Sequence, residues 1–387
     1  MTLLAGCLPS SPESETNDSS VIGKVESNTK PSPEETTLIN SLDIKIGQML
    51  LVGFRGLEVS SPDDPIIEDI RERHIGGILL FNYDVAQQRP VRNIQSPTQV
   101  TQLVSALQGY SEKIPLLVGI DYEGGRVNRL PEKNGFPATV SHQYLGSQNS
   151  PALTREHATQ MAQTLADLGI NLNFAPVVDV NTNPNNPIIA KNKRSFSANP
   201  DVVAEQALEF IRAHRRQKVL CTLKHFPGHG SSRADSHLGL VDVTQTWSAD
   251  ELIPYRKIIQ AGEADAIMTA HVFNKTLDPN SPATLSKPTI TGLLREQLGF
   301  NGIVFSDDMQ MRAIASHYGL ETAVRQSIEA GVDILVIGNN TGQFVPDIAT
   351  QVTTIIKRLV QNGSLSEQRI EESYQRIIQF KRQVMSI

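Results

Sequence analysis

Eight short apolar runs, separated by longer amphipathic stretches, constrain the fold more than any other feature of this chain. They occupy residues 49–54, 77–81, 116–121, 171–175, 219–223, 266–270, 303–306 and 333–337. Each is almost continuously apolar, as expected of parallel strands buried on both faces. Helical periodicity fills the gaps at 98–111, 154–168, 202–216, 249–262, 290–298 and 321–331, and two further helices are predicted between about 347 and 384. Eight strand-then-helix units in 387 residues predict an α/β fold of the closed (β/α)8, TIM-barrel type rather than an open doubly wound sheet. No Gly-rich phosphate loop marks any strand-to-helix turn, which disfavours nucleotide binding.

Composition narrows the class. Hydrophobic residues make up 39% of the chain and charged residues 20%, enough for a large core under a polar surface. The net charge is −6 and no dense run of Lys or Arg occurs, so neither nucleic acid nor an anionic membrane is the expected main partner. No apolar run approaches the roughly 20 residues needed to span a bilayer. The two cysteines do not suggest a disulfide framework. Cys221 lies in an apolar run and reads as a small core residue.

Cys7 differs. Leu3-Leu4-Ala5-Gly6-Cys7 resembles a lipoprotein box, in which signal cleavage exposes a lipid-accepting cysteine. Residues 8 to about 38 are rich in Ser, Pro, Glu, Asn and Thr, the composition of a flexible tether. Only six residues precede Cys7, so the basic and most of the apolar parts of a signal peptide are absent. The expectation is a leader and tether over 1–37 and a single catalytic barrel over 38–387, with no second folded domain. Lipidated Cys7 would anchor the protein outside the cytoplasm if translation starts further upstream; an accidental match would leave it cytoplasmic.

In a barrel of this kind chemistry sits at the carboxyl ends of the strands. Strand three ends in Asp121-Tyr122-Glu123-Gly124-Gly125-Arg126-Val127-Asn128-Arg129, and strand four runs into Asp179. Strand five ends in Lys224-His225-Phe226-Pro227-Gly228-His229-Gly230, followed by Asp235-Ser236-His237. Strand six ends at His271 and strand seven at Ser306-Asp307-Asp308-Met309. Five strand ends thus bring charged or imidazole groups to one mouth. His225, His229 and His237 raise the possibility of a metal site. Pro227 and Gly228 break the helix that would make the first two neighbours, and no Cys or Glu completes a familiar ligand set, so no metal is expected. From the residues alone, Asp307 is either a rigidly held nucleophile or a cap of the next helix.

These motifs, in this order, resemble glycoside hydrolase family 3, in its β-N-acetylglucosaminidase branch, from about Leu38 onward. The resemblance implies a retaining exo-glycosidase that removes terminal N-acetylhexosamine from peptidoglycan fragments or chitooligosaccharides, without metal or organic cofactor, as a monomer. It implies Asp307, rather than Asp308, as nucleophile, and His237 on a mobile loop, paired with Asp235, as acid/base. An imidazole suits that role, because its ordinary pKa of about 6.5 lets it give and take a proton near neutrality. The resemblance also implies that Asp121 accepts hydrogen bonds from sugar hydroxyls, and that Arg129, Arg194, Lys224 and His225 donate to sugar oxygens. Glu123 and Arg126 stand in the second rank, as supporting residues or an ion pair. Gly124-Gly125 suits a tight turn, and His229 reads as a structural hydrogen-bonder. Asp179 and His271 stay open between site and scaffold. Tyr122 stands where the family often has Gln or another polar residue, a departure expected to alter the rim. Two rival readings are a β-glucosidase of the same family and a surface lipoprotein that binds sugar without cleaving it.

Overall fold

The computed structural model describes residues 41–112 and 114–385. The tether over 1–37 and Cys7 lie outside the described residues. Eight parallel strands form the barrel: β1 (Leu50–Gly53), β2 (Gly77–Leu80), β3 (Leu117–Ile120), β4 (Leu172–Asn173), β5 (Leu220–Phe226), β6 (Ala266–Thr269), β7 (Ile303–Phe305) and β8 (Leu335–Ile337). Their order is sequential from β1 to β7, and β8 pairs with β1. The ring closes where Phe305 bridges Ile334, the Ser306 N–H donates to the Ile334 carbonyl (3.0 Å), and the Val336 N–H donates to Ser306 Oγ (2.9 Å). All eight predicted strands are present. Each is fully buried, because barrel interior and helical layer cover its two faces.

Helices α1 (Leu42–Gln48), α2 (Pro65–Arg71), α3 (Pro97–Gly109), α4 (His142–Gln148), α5 (Pro151–Asp167), α6 (Pro200–Arg216), α7 (Ile253–Gln260), α8 (Arg312–Ala315), α9 (Leu320–Ala330), α10 (Ile348–Gln361) and α11 (Glu367–Lys381) surround it. Local sequence sets several starts. Ser96, Ser150 and Asn199 each accept a backbone N–H with a side-chain oxygen, and each precedes a proline at the first helical position. The predicted helix over 290–298 is a π-helix, Pro288–Gln297. Inside the barrel, Phe174 just beyond β4 meets Phe305 of β7 edge to face, with centroids 5.4 Å apart. This packing closes the barrel below its carboxyl-terminal mouth, so that the loops after the strands stand on a rigid floor.

Candidate active site

A cavity of about 530 Å³ opens at that mouth, and Asp121, Arg129, Arg194, Lys224, His225, His237 and Asp307 all line it. Asp235 does not; it stands behind His237. The wall nearest β3 and β5 is an ion-pair cluster. Lys224 Nζ donates to Asp121 Oδ1 and pairs with Glu123 Oε1, both at 2.7 Å. Arg194 forks onto Glu123 through Nε (2.8 Å) and an Nη (2.7 Å), a bidentate geometry. Arg129 reaches Asp121 more loosely, at 3.4 Å. Burial alone would raise both carboxyls. The positive charges of Lys224, Arg129 and Arg194 reverse that, holding Asp121 well below the ordinary carboxylate range and Glu123 down at about 2. The wall is therefore a fixed array of full charges, paired with one another and lining the cavity.

Asp179 is wholly buried and organises the turn after β5. It accepts the backbone N–H of His229 (2.8 Å) and of His225 (3.2 Å) on one oxygen, and His225 Nδ1 (2.7 Å) on the other. Arg194 donates towards His225 Nε2 at 3.2 Å. This network assigns the proton of His225 to Nδ1 and leaves Nε2 an acceptor. Burial, reinforced by Arg194, holds the His225 imidazole neutral, well below its ordinary pKa. His225 thus has no free N–H towards the cavity, in contrast with the donor role expected of it; a sugar hydroxyl could only donate to Nε2, in place of Arg194.

Opposite this wall, the structure separates the two neighbouring acids after β7. Asp308 accepts the N–H of Gly338 (3.0 Å) and of Gln310 (3.1 Å), tying the loop after β7 to that after β8. A Cβ on Gly338 would lie 2.4 Å from Asp308 Oδ2, so the tie requires glycine there. Burial pushes the Asp308 carboxyl up to about 6. Asp307 accepts only the Asp308 N–H, at 2.8 Å, on one oxygen, and among the described residues no protein hydrogen bond reaches the other. Burial opposes its ionisation, but the imidazoles of His271 and His237 and that N–H bring its pKa below the ordinary value. It is the more acidic carboxyl of the pair. His271 sits beneath both: its Nε2 donates to the Asp308 carbonyl (2.9 Å) while Nδ1 meets Thr284 Oγ1 (2.8 Å), so it shapes the backbone that carries Asp307.

His237 stands at the edge of the cavity with 60% of its side chain exposed. Asp235 Oδ1 accepts both its backbone N–H and its Nδ1, each at 2.8 Å, which turns Nε2 away from Asp235. A carboxylate with one open oxygen and a carboxylate-oriented imidazole thus share one cavity with a wall of paired charges.

The model of the glycosyl hydrolase family 3 N-terminal domain matches residues 41–380. The chain belongs to this family. It is 33% identical over 82% of its length to β-hexosaminidase A of Pseudoalteromonas piscicida, of which it spans 55%, and 36% identical over 75% of its length to β-hexosaminidase of Tolumonas auensis, of which it spans 83%. Its fold superposes with a TM-score of 0.80, at 36% identity, on a family 3 β-N-acetylglucosaminidase from Paenibacillus sp. str. FPU-7, covering 89% of this chain and 62% of that one.

Three features of this family 3 barrel escaped the sequence reading. Glu123, held in the second rank, is the hub of the charged wall; the signal was its i+2 spacing from Asp121, which puts both on one side of an extended segment. Arg126, ranked beside it, is exposed and donates to the Lys191 carbonyl instead. Tyr122 is a fully buried core residue rather than a rim residue, so the expected change at the rim does not occur there. The rim beside the cavity is built by Tyr83 and Val85, whose backbone is clasped by Asn340 (2.9 and 3.0 Å), with the buried Asp84–Arg92 pair behind.

Glu251 lies under the turn after β5, 1% exposed, with Oε2 accepting the Gly230 N–H at 2.9 Å. Burial pushes its carboxyl from 4.5 up to about 8. The protonated form favours the folded state. Between pH 4.5 and 8 the unfolded chain gives up this proton while the folded chain keeps it, so stability falls as pH rises through that window. The permanently neutral Glu251→Gln should therefore gain on the parent from pH 5 to pH 8, by on the order of 3 kcal/mol. Urea unfolding of both proteins at the two pH values measures this; a constant difference would contradict it.

Proposed function

We propose that the chain is a retaining exo-β-N-acetylglucosaminidase acting on peptidoglycan fragments or chitooligosaccharides. The observation that carries this reading is Asp307, ionised and with one oxygen open, sharing a cavity with the Asp235–His237 pair. In the first step Asp307 attacks the anomeric carbon, the bond to the leaving oxygen breaks, and His237 delivers its Nε2 proton to that oxygen. In the second step neutral His237 takes a proton from water as the water oxygen attacks the same carbon and Asp307 departs. Two inversions return the original configuration. Asp235 holds the ring and stabilises the imidazolium. Asp121, Arg194 and Lys224 orient the terminal sugar, with Arg129 at their edge. We extend the proposal to a monomer tethered outside the cytoplasm through lipidated Cys7, where wall fragments would meet it.

The test is hydrolysis of p-nitrophenyl β-N-acetylglucosaminide beside the β-glucoside. The N-acetylglucosaminide should be preferred by at least about 100-fold in kcat/KM. Preference for the glucoside would replace this reading by that of a β-glucosidase. Binding of N-acetylglucosamine oligomers without turnover would replace it by that of a sugar-binding protein.

A further inference from the structure

The loop that carries Asp235 and His237 is firmly held at its base and scarcely held at its tip. At the base, Trp247 Nε1 donates to the Pro227 carbonyl (3.0 Å) and Asn186 Nδ2 to the carbonyls of His229 and Gly230 (2.7 and 3.1 Å). Asn183 Nδ2 donates to the Ser232 carbonyl at 2.8 Å. Gly230 presses so closely on Val180 that a Cβ would lie 1.7 Å from its carbonyl oxygen.

From 233 to 240 the hydrogen bonds turn inward: the two from His237 to Asp235, and the Leu238 N–H to the Asp235 carbonyl (3.0 Å). Leu238 and Leu240 are 70% and 45% exposed. Among the described residues one hydrogen bond joins this segment to the body of the protein. It runs between His229 Nε2 and Ser236 Oγ, at 3.2 Å. Both partners are buried, although Ser236 lies between an accessible Asp235 and a largely exposed His237. His229 is itself anchored, because its backbone N–H donates to buried Asp179.

We infer that the His229–Ser236 bond is a latch that positions the Asp235–His237 pair for proton transfer. This rests on the reading of His237 as acid/base. With Ser236 pinned at the centre of the tip, Asp235 and His237 swing about a fixed point, and Nε2 returns to the same place in each turnover. With the pin removed, the tip keeps its internal bonds but loses its register against Asp307. His229 and Ser236 are positioning residues: the loss falls on proton delivery and leaves sugar binding and nucleophilic attack intact.

The test is a series of aryl β-N-acetylglucosaminides running from 2,4-dinitrophenyl, which departs without a proton, to phenyl, which needs one. The kcat/KM values report bond cleavage for the parent, Ser236→Ala, Ser236→Thr, His229→Gln and His237→Ala, with a thermal unfolding midpoint for each. Ser236→Ala and His229→Gln should lose about 10- to 100-fold on the phenyl glycoside and less than about threefold on the dinitrophenyl one, and Ser236→Thr should recover most of the loss. An equal loss across the series, or none on the phenyl glycoside, overturns the latch. If His237→Ala steepens the leaving-group dependence and Ser236→Ala does not, the latch alone fails. If His237→Ala leaves that dependence unchanged, the acid/base reading fails and takes the latch with it.

Discussion

Asp307→Ala is expected to lower kcat on the N-acetylglucosaminide by on the order of 10⁴-fold or more, with the fold intact. The size follows from what the residue does alone. Asp307 is the more acidic member of the pair, and among the described residues its second oxygen has no protein hydrogen bond. Asp308 cannot take over, because its Oδ1 is tied to the N–H groups of Gly338 and Gln310 and its Oδ2 is packed against Gly338. In the proposed mechanism, loss of Asp307 removes the covalent route and leaves sugar binding and the His237 acid in place. Azide, small enough to enter the vacated space, should restore turnover of the dinitrophenyl glycoside and yield the α-glycosyl azide, since a single displacement inverts the centre. Asp308→Asn makes the useful contrast. It keeps one carbonyl acceptor for the two backbone donors, so kcat should change far less than in Asp307→Ala.

Glu123→Ala is expected to destabilise the protein by about 3–5 kcal/mol. Glu123 is 1% exposed and accepts from Arg194 twice and Lys224 once. Truncation leaves two cations in a buried site with Asp121 as the remaining close carboxylate, and the unpaired charge costs more than the pair contributed. The pH dependence has a definite sign. The folded carboxyl has its pKa lowered from 4.5 to about 2, so its stabilisation is complete above 4.5 and disappears as pH falls to about 2. Urea unfolding should accordingly show Glu123→Gln weaker than the parent at pH 7 by about 3 kcal/mol, with the gap closing at pH 2 to 3. A gap that persists at low pH would mean that Glu123 acts through shape rather than charge.

The barrel was legible because each strand is buried on both faces and carries the same apolar signature. The strand ends were legible as the place for chemistry because parallel strands share one mouth. The roles within the mouth were less so, since they depend on partners brought together only by folding. Lys224 meets Asp121 across 103 residues, Arg194 meets Glu123 across 71, and Asp179 meets His225 across 46. Nothing local to His225 says that both of its nitrogens are occupied, and nothing local to Asp179 says that it is their anchor. The Asp235–His237 contact spans two residues, and there the sequence pattern and the hydrogen bond coincide. The π-helix at Pro288–Gln297 has ordinary helical periodicity in its apolar residues, so pattern alone did not distinguish it from an α-helix.

The covalent intermediate tests the central claim most directly. A 5-fluoro N-acetylglucosaminyl fluoride forms the glycosyl-enzyme readily through its good leaving group, while the ring fluorine slows its breakdown. Mass spectrometry of the intact protein and then of its peptides should find one sugar per chain, esterified to Asp307. A sugar on Asp121 or Asp308, or rapid turnover of ordinary substrate with no trappable adduct, would contradict the account.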